Sequence, residues 1–138
     1  AMRSAGLDVP PERIVRYATE NKDAEPARRL AEMLASGERN RPTALVCYND
    51  ELAVGLLETI RRAGLKVPDD ISIVGFDDST LATATETKLT TVEHPKERLG
   101  AAAAAALLRM IRNPGAAENG IVFKPDLVVR PSVKPPNR

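Results

Sequence analysis

The sequence predicts an α/β domain, an open and mostly parallel sheet with flanking helices. Two continuous apolar runs, "TALVCY" (Thr43 to Tyr48) and "ISIVGF" (Ile71 to Phe76), read as strands buried on both faces of a parallel sheet. Between them "NDELAVGLLETIRRAG" (Asn49 to Gly64) sets Ala53, Leu56, Leu57 and Ile60 on one helical face and ends in Gly64 at the C′ position. Strand, helix and strand in this order make a right-handed βαβ unit.

The other elements follow in chain order. "ERIVRYAT" (Glu12 to Thr19) is β-branched and aromatic, and reads as a strand. "DAEPARRLAEMLASG" (Asp23 to Gly37) repeats Ala27, Leu30, Ala31 and Leu34 at helical spacing before a terminating glycine. "KLTTVEH" (Lys88 to His94) alternates and is a third strand. "PKERLGAAAAAALLRMIRN" (Pro95 to Asn113) is a helix with a first-turn proline and a stripe of Leu99, Ala103, Ala106, Leu107 and Met110. "IVFKPDLVVR" (Ile121 to Arg130) reads as an edge or bent strand, because Pro125 interrupts it. The tail "PSVKPPNR" is polar and carries three prolines.

The 138 residues suffice for one domain with a core, and 43% hydrophobic against 28% charged residues is a globular balance. A net charge of +1, from 20 basic and 19 acidic residues, supplies no field to draw in nucleic acid. Arg28-Arg29 and Arg61-Arg62 fall beside acids in helical patterns and read as solvated faces. No apolar run approaches the ~20 residues that span a bilayer. The opening "AMRSAGLDVPPERI" lacks the apolar stretch of a signal peptide. Ala1-Met2 reads as an added dipeptide before mid-protein sequence, so an excised piece of a longer protein is expected. One cysteine, Cys47, sits in an apolar run and is expected to be a buried, inert thiol. The lone cysteine and the missing signal favour the cytoplasm.

The chemistry concentrates at the ends of the two central strands. Ligands of open parallel sheets bind beyond the strands' carboxyl ends, and Asn49-Asp50 and Asp77-Asp78 both fall there. Short amides and carboxylates in fixed planar geometry suit sugar hydroxyls. Helix capping competes for the same residues: Asn49 or Asp50 would cap the following helix, and Asp78 a short helix through Ala82. His94, the only histidine, ends a strand just before a helix. Without a second histidine a metal site would need carboxylates alone, and no metal or cofactor is expected. Neither a G-x-S-x-G elbow nor a phosphate-binding glycine loop is present. A magnesium phosphotransfer site on Asp77-Asp78 would want a nearby lysine, and Lys66 and Lys88 lie in turns. Tyr48 is the one aromatic placed to reach a ligand, with core packing as the alternative; stacking surfaces for nucleic acid need more aromatics than this chain has.

The stretches "RPTALVCYNDELAVGLLETIRRAGLKVPDDISIVGFDDS", "KLTTVEHPKERLG" and "PDLVVRPS", in this order and spacing, resemble the effector-binding domain of the LacI/GalR family of bacterial transcription regulators over most of the chain. "FDDSTLATATETKLTTVEHPKERLG" is most similar to the arabinose-repressor branch. The resemblance implies one lobe of a two-lobed, periplasmic-binding-protein-like fold that closes on a small sugar, a pentose such as arabinose. It further implies no enzymatic activity, a cytoplasmic homodimer, and DNA contact only through a separate N-terminal head. Residues 1–88 and 121–138 would form the C-terminal lobe, with the crossover strand and helix 89–113 packing on the absent N-terminal lobe. That helix is expected to fold back or to pair with another copy. Asn49 and Asp77 match the family's effector contacts and His94 a polar contact of the crossover; Thr19 or Glu20 is a weaker match. Asn49 and Asp77 would then face the cleft, while Asp50 and Asp78 serve the local backbone. A transport-system sugar-binding protein would share the fold.

Overall fold

The computed structural model describes residues 3–15, 24–35, 41–115 and 120–136. Helix α1 (Ala24–Ala35) precedes strand β1 (Ala44–Val46), helix α2 (Asp50–Arg62) and strand β2 (Ser72–Val74). The short helix α3 (Leu81–Ala84), strand β3 (Thr91–Glu93), helix α4 (Lys96–Arg112) and strand β4 (Asp126–Val128) complete the order. β1 and β2 pair in parallel with Leu45 opposite Ile73. Val74 bridges in parallel to Thr90, just before β3, and β3 pairs antiparallel with β4. The expected βαβ unit and three-strand sequence are therefore present.

The core is a layer between α1, α2 and the sheet. Leu30 from α1 and Ala53, Leu56 and Ile60 from α2 meet Ile71 and Ile73, with Ala82 and Leu89 closing the far side. Each fully buried isoleucine or leucine contributes about 2 kcal/mol of transfer free energy. On α1 the buried stripe is Pro26, Leu30 and the half-buried Ala27, Met33 and Leu34, whereas Ala31 is exposed, one step off the expected face. α2 starts because Asn49 caps it: the Asn49 side-chain oxygen accepts from the Leu52 N–H at 2.8 Å. It stops because Gly64, at φ +75°, reverses the chain, letting its N–H reach the Arg61 carbonyl and the Leu65 N–H that of Ile60. Glu58 binds Arg61 and Arg62 on the outer face, and Arg28 pairs with Glu32, so both arginine pairs lie on solvated helix faces.

Four expectations need correction. Glu12 and Arg13 lie in a 3-10 turn (Pro11–Arg13), since Pro10-Pro11 fixes the backbone in a turn there; the rest of the expected strand, from Arg16, lies outside the described residues. β1 is not buried on both faces, for Val46 is 84% exposed and borders an open apolar hollow. β4 begins only after Pro125, where the interruption was expected, and residues 121–124 of the expected run lie outside any strand. α4 does not fold back: no side chain along it is buried, and Leu99, Leu107, Leu108, Met110 and Ile111 are all at least half exposed.

Candidate functional site

β2 and β3 end side by side, and their continuations form the rim. The Gly75 N–H donates to the Thr90 carbonyl at 2.9 Å and the Asp77 N–H to the Val92 carbonyl at 2.8 Å. Asp77 and Asp78 both take positive φ, 105° and 43°. Side chains with a Cβ rarely occupy this region, and such strain persists only where neighbours impose it. Here they do. The Asp78 N–H meets the Thr91 hydroxyl at 3.3 Å, the Ser79 N–H meets the Asp50 carboxylate at 2.7 Å, and the Lys96 ammonium donates to the Asp77 carbonyl at 2.7 Å.

The outcome presents the Asp77 carboxylate to a hollow of about 400 Å³ lined by Cys47, Tyr48, Phe76, Asp77 and His94. His94 Nε2 stands 3.5 Å from Asp77 Oδ1, and both side chains are about 40% exposed. The Phe76 ring meets the imidazole edge to face, centroids 4.7 Å apart, which fixes its plane. Two ring walls with a carboxylate and an imidazole can hold a polyhydroxylated ring, the apolar C–H face on the aromatics and the hydroxyls on the polar groups. A larger hollow of about 620 Å³ lies between α1 and β1, lined by Leu30, Met33, Leu45, Leu52 and Leu56, with Arg13 its one charged residue among the described residues. Its described lining residues form no array of polar groups with which to read hydroxyl positions.

The structure thus brings Asp77 and His94 together, and sets Tyr48 in the hollow at 74% exposure rather than in the core. Asn49 does not line this hollow; its side-chain oxygen is taken by the α2 cap. Thr19 and Glu20 lie outside the described residues. The expected division of labour within each pair is corrected. Asp50 is no local cap: buried to 1% exposure, it accepts from Ser79 N–H and from the Thr91 hydroxyl at 2.6 Å, residues 29 and 41 positions away. Asp78 does not cap α3, which has no side-chain cap bond; its carboxylate binds Arg130 at 2.6 Å, and Arg130 also donates to the Leu89 carbonyl at 3.0 Å. With Asp78 held by a guanidinium, the two acids are not free to share a cation. Among the described residues no cluster of three histidines, cysteines or carboxylates could hold a metal. Arg130, Thr91 and Lys96 are contributors that sequence reasoning passed over, since their partners lie 13 to 52 positions distant.

Cys47 is 6% exposed, and burial, followed by the Asp50 charge, pushes its thiol up to about 12 from 9.0. The unfolded chain deprotonates this thiol nearer 9.0, so its contribution to stability is full below that pH and is lost as pH rises through about 12. Iodoacetamide at pH 8 is therefore expected to label Cys47 only once urea unfolds the chain. Labelling of the native protein at the unfolded rate would contradict the buried assignment.

Residues 1–133 match the family model of the periplasmic binding protein-like domain. The chain belongs to that family. The periplasmic-binding-protein-like domain is 54% identical over 129 residues to the arabinose metabolism transcriptional repressor of Geobacillus stearothermophilus, covering 93% of the chain and 35% of that protein. It is 42% identical over 137 residues to the repressor of the same description from Halalkalibacterium halodurans, covering 96% and 36%. Among solved structures it matches a LacI family transcriptional regulator from Lactobacillus casei with bound sucrose, at a TM-score of 0.77 and 28% identity, over 96% of this chain and 47% of that one. The chain spans about a third of the length of these curated relatives and about half of that structure. Among the described residues no helix is long and apolar enough to cross a membrane.

Proposed function

We propose that this chain is the C-terminal lobe of a sugar-sensing domain in a cytoplasmic transcriptional repressor, and that its effector is a pentose, arabinose. What carries the reading is the 54% identity to an arabinose metabolism repressor across 93% of the chain. The hollow supports it, since an acid and an imidazole beside two aromatic rings fit a small sugar better than a phosphate or a peptide. In this reading Asp77 accepts from ring hydroxyls and His94, on the crossover, exchanges a hydrogen bond with the sugar as the lobes close. Asn49, which stands outside the hollow at the neighbouring strand end, would reach the sugar only through its amide N–H groups, since its oxygen holds α2. Residues 1–88 and 121–138 form the lobe, and 89–113 belong with the other half of the cleft. The domain is not an enzyme; it works as a homodimer and reaches DNA through a separate N-terminal head.

Calorimetry of a full-length regulator carrying this segment, with L-arabinose against a pentose and hexose panel, tests the reading. L-Arabinose is expected to bind tightest, and Asn49→Ala to weaken it about tenfold, the value of one or two buried hydrogen bonds. Equal affinity for every sugar, or none for any, would sink it.

A further inference from the structure

We propose that Asp50 is the positioning residue of the site, a clamp that grips the strained Asp77-Asp78 turn from both sides and so aims Asp77 at its ligand. Its backbone N–H donates to the Phe76 carbonyl at 2.9 Å, on the near side of the strained pair. Its carboxylate accepts from the Ser79 N–H at 2.7 Å, on the far side. One residue thus holds both ends of a four-residue segment whose two central members, at φ 105° and 43°, have no conformational reason of their own to stay there.

The clamp extends to the crossover. The Thr91 hydroxyl donates to Asp50 Oδ1 at 2.6 Å and accepts from the Asp78 N–H at 3.3 Å, so β3 is tied into the same knot. Thr91 is fully buried, and Asp50 is 1% exposed. Gly75 completes the arrangement, because a side chain there would collide with Asp50 Oδ1. A carboxylate so deeply buried is costly unless each oxygen is bonded. Here both are, by groups whose only common feature is that they bound the turn and the crossover strand. A helix N-terminus could be capped at far smaller cost, and Asn49 already does that. Asp50 does not touch the hollow and acts through Asp77.

The functional half of this inference rests on the sugar-site reading, and its test separates the two. Amide hydrogen exchange on the 138-residue chain follows Asp77, Asp78 and Ser79 in Asp50→Asn and in Thr91→Val, the latter a change of similar shape that serves as the second variant should the first fail to fold. L-Arabinose affinity is measured in the full-length regulator with the same substitutions. The proposal expects exchange at Asp78 and Ser79 to rise about tenfold while Leu56 and Ile60 in α2 keep their protection, and affinity to fall about tenfold. Thr91→Ser, which keeps the hydroxyl, is expected to restore both. Ile60→Val, a purely structural control, is expected to lower the melting temperature without touching affinity. Unchanged exchange at the turn overturns the clamp. Local opening with unchanged affinity, where Asp77→Asn does weaken binding, overturns its positioning role. If Asp77→Asn binds as tightly as the parent, the sugar-site reading fails instead, and exchange alone decides whether Asp50 holds the turn.

Discussion

Gly75→Ala is expected to lower the unfolding free energy by about 3 kcal/mol, a larger loss than one methyl group would cause at an ordinary glycine. The added Cβ would press on Asp50 Oδ1 and lie 3.2 Å from its carboxyl carbon and 3.4 Å from its Cα. The carboxylate cannot simply swing aside. Moving it abandons the Thr91 hydroxyl and the Ser79 N–H, leaving two donors unpaired in a site closed to water. Nor can the strand retreat, because the Gly75 N–H is bonded to Thr90 and Asp50 N–H to Phe76. Gly55, on α2, offers the contrast: nothing lies within 4 Å of an added Cβ there. Gly55→Ala is therefore expected to stabilise slightly, by the helix propensity that glycine lacks. Urea titrations of the two variants check the pair, and a Gly75→Ala loss below about 1 kcal/mol would mean that Asp50 has a second resting place.

The fold was legible in the sequence wherever its cause is local. The periodicity of Asn49 to Gly64, with a capping residue at one end and a glycine at the other, specifies α2 and both its ends, and the apolar runs on either side specify the strands. Proline told where β4 begins. The site was legible in part for the same reason: the carboxyl ends of two parallel strands must meet, so Asp77 had to stand at the rim. The roles within each pair were not legible. Asn49 and Asp50 are both good caps by residue type, and only the three-dimensional neighbourhood, Thr91 and Ser79 from distant stretches, takes Asp50 away from capping. Asp78 likewise looked like a local cap until Arg130, 52 positions on, claimed it. Val46 misled for a complementary reason: its place in a continuous apolar run marks a strand, but burial needs a covering element, and among the described residues β1 has none on that side.

Asp77→Gly is expected to separate function from stability in opposite directions. Glycine takes φ 105° without a Cβ penalty, so the substitution releases strain of about 1 to 3 kcal/mol, offset by the extra freedom it gives the unfolded chain. Nothing holding the turn depends on the lost side chain. The backbone bonds from Asp77 N–H to Val92 and from Lys96 to the Asp77 carbonyl survive, and the 3.5 Å contact with His94 is half exposed and worth little. The net gain is about 1 kcal/mol, seen as a higher melting temperature of the 138-residue chain. The carboxylate, however, is the charged acceptor that the hollow offers a hydroxyl, beside the His94 imidazole. Its loss is expected to weaken L-arabinose binding by about 100-fold, the worth of charge-assisted hydrogen bonds in a site closed by the second lobe. Asp77→Ala should lose the same affinity but melt below the glycine variant, because alanine keeps the strain. If the alanine variant proves the more stable, the turn is not strained; if both bind L-arabinose as tightly as the parent, Asp77 is not a ligand contact. A gain in melting temperature together with a loss of affinity would mark Asp77 as a residue that costs the fold and serves the proposed site.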